Sequence, residues 1–347
     1  MKVYFLLSLF VQLLVGVSYG SITSGPSKCR AAATHSDVST SKEYLPEPIR
    51  TLLTKNSYQR AYWAMKEQGF TTEANELRAR IEKVMNSLQD SGFTPEKWQL
   101  MTVGYKGTDL VPPEKQGTAT HGEDAMNTLY RVVIEGIPLV IKFTDHPESE
   151  AAISLVADIM NIYVPITVAV EIAGRPAAIQ YFLEEAITIE KRAENLGVGY
   201  PSMWLLPHNV QMFLELIQKY DDHQYNHLFI EDSSLPSKGL FISIDHDLTV
   251  NGWFNFQGFK SEYSSNLSDP AGFDYPPFWQ ESSRAEIREV MEIMATEYPS
   301  MHQSILDPKT VPLLMEALDV GHASTGYRKW MTDWIYKYRE LAEEFRP

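Results

Sequence analysis

Lys142, Glu150, Asp221, Asn226 and Asp245 are the residues of this 347-residue chain whose types and spacing could do chemistry together. Lys142 lies in Val140-Ile141-Lys142-Phe143, which reads as a strand, and side-chain alternation puts Val140 and Lys142 on one face. Glu150 follows in Glu148-Ser149-Glu150-Ala151-Ala152, early in a segment with helical spacing. The polar stretch from Tyr220 to His227 sets Asp221 and Asn226 five residues apart in a loop. Ile242-Ser243-Ile244-Asp245-His246-Asp247 ends a strand-like run in acid. Such a set suits phosphoryl transfer, where spread negative charge needs positioning and neutralisation more than covalent chemistry. A strand lysine can hold nucleotide phosphates, and a helix glutamate can hold that lysine. One carboxylate can meet an acceptor hydroxyl. A second, with an amide oxygen, can bind Mg²⁺, a hard cation that prefers oxygen ligands.

The elements that must position these residues follow from the apolar pattern. Thr128 to Ile134 and Pro138 to Phe143 are β-rich runs joined by Glu135-Gly136, a hairpin signal. Glu148 to Met160 has helical spacing, with Ile153, Val156, Ile159 and Met160 on one side. A second hairpin runs from Ile166 to Ile172, turns at Gly174-Arg175 and returns over Ala177 to Leu183. Val210, Phe213, Leu214 and Ile217 mark a buried helix, and His227 to Ile230 and Gly239 to Ile244 are short strands. Residues 283–299 and 323–345 carry apolar residues every three or four positions, including Trp330, Trp334, Ile335, Tyr338 and Leu341, the stripe of core-facing helices. Residues 44–101 read as helices, one capped by Thr71 or Thr72 and another starting at Thr94-Pro95, with no chemistry of their own. Strands, a helix, more strands and a helical remainder predict an α+β protein of two lobes. No internal repeat is visible.

In this order the motifs resemble the protein-kinase-like fold, specifically its atypical branches. Asp221-x-His223-x-x-Asn226 is similar to the catalytic loop of aminoglycoside phosphotransferases and of lipid and secreted atypical kinases. Ile244-Asp245 resembles the start of the metal-binding motif, and Glu150-Ala151-Ala152 the start of the helix behind the strand lysine in antibiotic kinases. The resemblance covers roughly residues 100–300 and implies a strand-rich small lobe over 102–184, a helical large lobe over 185–347 and a helical extension over 44–101. It implies ATP and Mg²⁺ (or Mn²⁺) between the lobes. Lys142, held by Glu150, would bind the α- and β-phosphates. Val140 would line the nucleotide, and Ile179 to Glu184, with Tyr181 and Phe182, would form the hinge beside the adenine. Asp221 would be the catalytic base, with His223 orienting its loop. Asn226 and Asp245 would bind the metal, with Asp247 as a further ligand. Gly117 and Gly122, in Gly117-Thr118-Ala119-Thr120-His121-Gly122, would supply the glycine-rich loop.

The chain departs from the family pattern in three places. His246 and Asp247 stand where an apolar residue and a glycine usually follow the metal-binding Asp, and the glycine loop lies far from its strand. Pro276-Pro277-Phe278 lacks the glutamate that ends a conventional activation segment. These departures keep a non-catalytic pseudokinase open. A third reading is a secreted metal hydrolase, since His223 and His227 are four apart and Asp221, Asp245, His246 and Asp247 could complete a site. No His-Glu-x-x-His and no Gly-x-Ser-x-Gly motif is present. Taken singly, Lys142 could be an edge-strand charge, and Glu148 or Glu150 the acidic first turn of a helix.

Composition sets the outer bounds. A hydrophobic share of 44% can fill a core, and 30 Lys+Arg against 45 Asp+Glu gives −15, which argues against a nucleic-acid surface and mildly favours a basic acceptor. Lys2, the apolar run from Val3 to Val17 and the small residues Ser18 and Gly20 describe a secretory signal peptide over 1–20. Its removal takes one cation and no acid, leaving −16. Residues 21–43 are rich in Ser, Thr and Ala and read as a flexible leader holding the single cysteine, Cys29, which cannot form an intrachain disulfide. Asn266-Leu267-Ser268 is a glycosylation acceptor sequence in a eukaryotic secretory route. A signal peptide, one cysteine and an ATP site together point to an exported bacterial effector acting where ATP is plentiful, or to a lumenal kinase without disulfides. The expected partners are ATP and a hydroxyl-bearing acceptor, with no membrane span in the mature chain.

Overall fold

The computed structural model of the chain describes residues 44–91, 99–104, 107–110, 128–197, 205–219, 226–232, 238–246 and 277–346. Three helices come first: α1 (Glu47–Thr54), α2 (Tyr58–Glu67) and α3 (Thr71–Ser91). A six-stranded antiparallel sheet follows, built from β1 (Gln99–Gly104), β2 (Gly107–Leu110), β3 (Thr128–Ile134), β4 (Ile137–Phe143), β5 (Thr167–Ile172) and β6 (Arg175–Tyr181) in the order β2-β1-β3-β4-β6-β5. Helix α4 (Pro147–Met160) connects β4 to β5. A smaller sheet joins β7 (Ile187–Thr188), β8 (His227–Glu231) and β9 (Gly239–Ser243), with α5 (Ile189–Leu196) and α6 (His208–Leu216) between its first two strands. The remainder is helical: α7 (Phe278–Glu281), α8 (Arg284–Glu297), α9 (Pro299–Leu306), α10 (Thr310–Val320) and α11 (Thr325–Glu344). A strand-rich part followed by a helical part is the two-lobed α+β arrangement expected. No helix among the described residues is long and apolar enough to cross a membrane.

Local chemistry explains the key turns. The β3–β4 hairpin closes through Glu135 (φ 50°) and Gly136 (φ 76°), two successive left-handed residues whose twist matches that of the flanking strands. The second hairpin turns one residue earlier than expected, at Ala173 (φ 50°) and Gly174 (φ 74°), so Arg175 already belongs to β6 opposite Ile172. Gly239 opens β9 against Phe229, where an added Cβ would run into that ring and the Ile230 carbonyl. Helix α8 starts with a capping box, Ser283 accepting from Glu286 N–H and the Glu286 carboxylate accepting from Ser283 N–H.

Within residues 44–101, expected to be helical throughout, the described helices end at Ser91. Gln99–Gly104 is a strand, paired with β3 in the register Gln99 to Arg131, and Thr94-Pro95 lies outside the described residues. Sheet pairing across distant sequence decided this, and a helical reading of the local pattern could not see it.

Two apolar cores flank the centre. One gathers α4, through Ala152, Ile153, Val156, Ala157 and Met160, with the helical part, including Phe213, Met294, Leu314, Trp334 and Tyr338. The other joins α1–α3 to the large sheet: Ile49, Tyr62, Met65, Ile81 and Leu88 pack with Leu139, Ile141, Ile179 and Tyr181, and with Ile242 of β9. The predicted stripe Leu77, Ile81, Val84 and Leu88 is buried there. Polar contacts fasten the same junction. Ile166 N–H donates to Gln59 Oε1 at 2.9 Å, and Tyr181 Oη donates to Asn56 O at 2.9 Å. The N-terminal helices thus cover one face of the sheet, and Lys142 is on the other.

Candidate functional site

Alternation along β4 decides what faces the site. Leu139 and Ile141 point into the core shared with α1–α3 and are fully buried, whereas Val140 and Lys142 point to the opposite face and are half-buried. Lys142 Nζ lies 3.0 Å from Glu150 Oε1, in the first turn of α4, and also donates to the Asp245 carboxylate just beyond β9. Strand, helix and post-strand segment therefore deliver one cation and two acids to a single point. The Glu150 and Lys142 side chains are 4% and 12% exposed and Asp245 is 37% exposed, so the acid facing solvent is Asp245. Two carboxylates on one lysine hold its ammonium aimed in a poorly solvated place.

Asp245 has φ 63°, a left-handed conformation that Asp adopts more readily than most residues. Its neighbours are held. Ile244 N–H donates to Asn226 O at 2.9 Å, so the backbone brings Asn226 beside the acidic segment. Lys219 Nζ donates to Ile244 O and lies 3.3 Å from Ser243 Oγ, and Ser149 Oγ donates to His246 O at 2.8 Å. The His246 ring lies edge-on to Phe213 of the helical part, with ring centroids 6.5 Å apart. Complete burial holds its imidazole neutral, with the nearby Lys219 charge acting in the same direction.

Asn226 is 3% exposed at the entry to β8, and His227 opens that strand fully buried opposite Ser243. Asp221, His223, Asp247, Gly117 and Gly122 lie outside the described residues. Tyr181 differs from expectation. Its register partner is Leu139, so its ring lies on the face away from Lys142, where its hydroxyl accepts from Tyr58 N–H at 3.1 Å. A nucleotide on the Lys142 face would meet the backbone of Tyr181 and not its ring. Phe182 donates its N–H to Pro138 O at 2.9 Å and carries the Arg131 guanidinium over its ring at 5.4 Å.

No cluster of three or more His, Cys, Asp or Glu is gathered for a metal among the described residues. The donors present are the Asp245 carboxylate and the amide of Asn226. Hard oxygens in small number fit Mg²⁺, which keeps water and substrate phosphates in its shell and needs only one or two protein carboxylates.

Two groups near the site escaped the sequence reading. Lys219, 2% exposed, was part of an unremarkable helix end. Glu215 on α6 accepts from Trp334 Nε1–H at 2.7 Å and from Phe278 N–H at 3.0 Å, fastening α11 and the start of α7 to α6 within the helical part. Burial pushes the Glu215 carboxyl up to about 8, although both N–H donors pull the other way.

No family model matches the chain, and no curated protein matches it. Among solved structures it is similar to the proinflammatory kinase CtkA of Helicobacter pylori, at 10% identity and a TM-score of 0.40, covering 63% of this chain and 92% of that one. It is also similar to a chain of the toxin–antitoxin system HipA, HipB and its operator DNA complex of Shewanella oneidensis, at 10% identity and a TM-score of 0.32, covering 62% of this chain and 61% of that one.

Proposed function

We propose that the chain is an ATP- and Mg²⁺-dependent phosphotransferase that moves the γ-phosphoryl group to a hydroxyl, with a protein acceptor preferred. The observation that carries this reading is the sharing of Lys142 between Glu150 and Asp245. A lysine so placed would bind the α- and β-phosphates while Glu150 holds it upright, and Asp245 would supply a carboxylate to the metal. Bound Mg²⁺ would neutralise charge on the phosphate oxygens, held by Asp245 and Asn226 with Asp247 assisting. Asp221 takes the acceptor's proton as the new oxygen–phosphorus bond forms and the bond from the γ-phosphorus to the β–γ bridging oxygen breaks, releasing ADP. His223 orients the Asp221 loop, Gly117 and Gly122 cover the phosphates, and Val140 and Phe182 border the base. We place the mature protein outside the cell that makes it, as a secreted effector or a lumenal kinase, on the apolar run of residues 3–17.

The test is transfer of labelled phosphate from ATP with Mg²⁺, to the protein itself or to a basic protein acceptor. Transfer should vanish in Asp221→Ala and Asp245→Ala, and undiminished transfer in Asp245→Ala would sink the metal-ligand assignment. A second reading has its own support. His246 and Asp247 stand where an apolar residue and a glycine usually follow the metal-binding Asp, which suits a pseudokinase that binds a partner. A rise in melting temperature with ATP and Mg²⁺, without turnover under any acceptor, would favour it.

A further inference from the structure

We propose that Lys219 and Ser149 are positioning residues, which fix Asp245 in its left-handed conformation and so aim its carboxylate into the cleft. The proposal rests on the reading of Asp245 as a metal ligand. A left-handed non-glycine residue persists only where its surroundings over-determine it. Here the backbone carbonyls before and after Asp245 are each taken by a side chain from a different element. Lys219, in the turn after α6, holds Ile244 O, and Ser149, in the first turn of α4, holds His246 O. The segment has no slack at either side, because Ile244 N–H is also bonded to Asn226 O.

The chemistry of the two residues argues for purpose. Lys219 is 2% exposed, and an ammonium taken out of water is costly unless its hydrogen bonds are well made. A methionine would fill the same volume without that cost. The lysine contributes what methionine lacks, N–H donors that converge on Ile244 O and Ser243 Oγ across the strand end. Ser149 is fully buried and adjoins Glu150, so one helical turn both holds Lys142 and holds the backbone that carries Asp245. The cation and the acid of the site thus share a mount.

The experiment compares the protein with its Ser149→Ala, Ser149→Thr, Lys219→Met and Lys219→Arg variants. ATP binding is measured by calorimetry across a Mg²⁺ titration and again with chelator. Loss of the bond to His246 O in Ser149→Ala, or of the bonds to Ile244 O and Ser243 Oγ in Lys219→Met, should raise the Mg²⁺ needed for half-maximal binding about five- to tenfold, with Mg²⁺-free binding through Lys142 unchanged. Ser149→Thr should recover most of the loss. A role in packing alone would lower the melting temperature and leave the Mg²⁺ requirement where it was, and that result would overturn the proposal. If Lys219→Met does not fold, Ser149→Ala carries the test, since it removes one oxygen. Should the parent protein show no Mg²⁺-dependent nucleotide binding, the functional reading fails. The positioning claim is then judged from a crystal structure of Ser149→Ala: an Asp245 φ still near +60° rejects it, and a shift out of the left-handed region supports it.

Discussion

Lys142 Nζ stands 3.0 Å from Glu150 Oε1, across the gap between the middle of a sheet and the first turn of the helix behind it. The pair is nearly closed to solvent, and Asp245 reaches the same ammonium from a third segment. Lys142→Met should cost the most stability of any change here, because it strands a buried Glu150 beside a second acid. A loss of about 3–5 kcal/mol is expected in urea unfolding, with nucleotide binding abolished. Glu150→Gln should cost less, since Asp245 still partners the lysine.

Asp245 offers a separation of backbone from carboxylate. Asparagine accepts the left-handed conformation almost as well as aspartate, whereas a β-branched residue does not. Asp245→Asn should therefore fold with little change and lose Mg²⁺-dependent turnover. Asp245→Val should lose turnover and about 1–2 kcal/mol more stability, read from paired denaturation curves.

Asp158, two turns along α4 from Glu150, accepts from Tyr62 and Lys66 of the N-terminal helices and pairs with the Arg78 guanidinium at 3.3 Å, and Lys66 Nζ also reaches the Asp158 carbonyl at 2.6 Å. Arg78 is 9% exposed and keeps Glu82 as a second partner at 2.7 Å. Asp158→Ala should destabilise the protein by about 3 kcal/mol, since it leaves two cations and a buried hydroxyl short of their acceptor. Thermal unfolding of Asp158→Ala against Asp158→Asn checks this, the amide recovering part of the loss.

Glu215 predicts a pH dependence. Its folded-state value of about 8 lies above that of an unfolded glutamate, so between those values the folded chain holds a proton that the unfolded chain has released. Its contribution to stability is complete below the unfolded value and fades as pH rises toward 8. Unfolding midpoints at pH 5, 7 and 9 should fall with pH, and Glu215→Gln should flatten that trend. An equal slope in the variant would exclude Glu215 as its source.

Short-range pattern made much of the site legible. Lys142 was visible from the second strand of a hairpin, Glu150 from the helix after it, and Asp245 from acid at the end of an apolar run; all three meet. The face of Tyr181 was not legible, because which side of β6 looks at the nucleotide depends on pairing with Leu139 and on helices more than a hundred residues away. Lys219 and Ser149 were missed for a related reason. Each acts on a backbone carbonyl, and carbonyls leave no trace in residue identity. Asp158 carries no signal of its own in the sequence, because its three partners come from α2 and α3.

The core that joins Ile49 and Ile81 to Ile242 has a consequence for how the chain comes to be folded. The first helices finish burying their apolar faces on β4 to β6, roughly a hundred residues later in synthesis, with Ile242 added from β9, and contacts of that span slow folding. Until then those faces are open to chaperones, to translocation machinery and to each other. A chain built this way keeps part of that apolar surface uncovered for an interval after its first helices emerge.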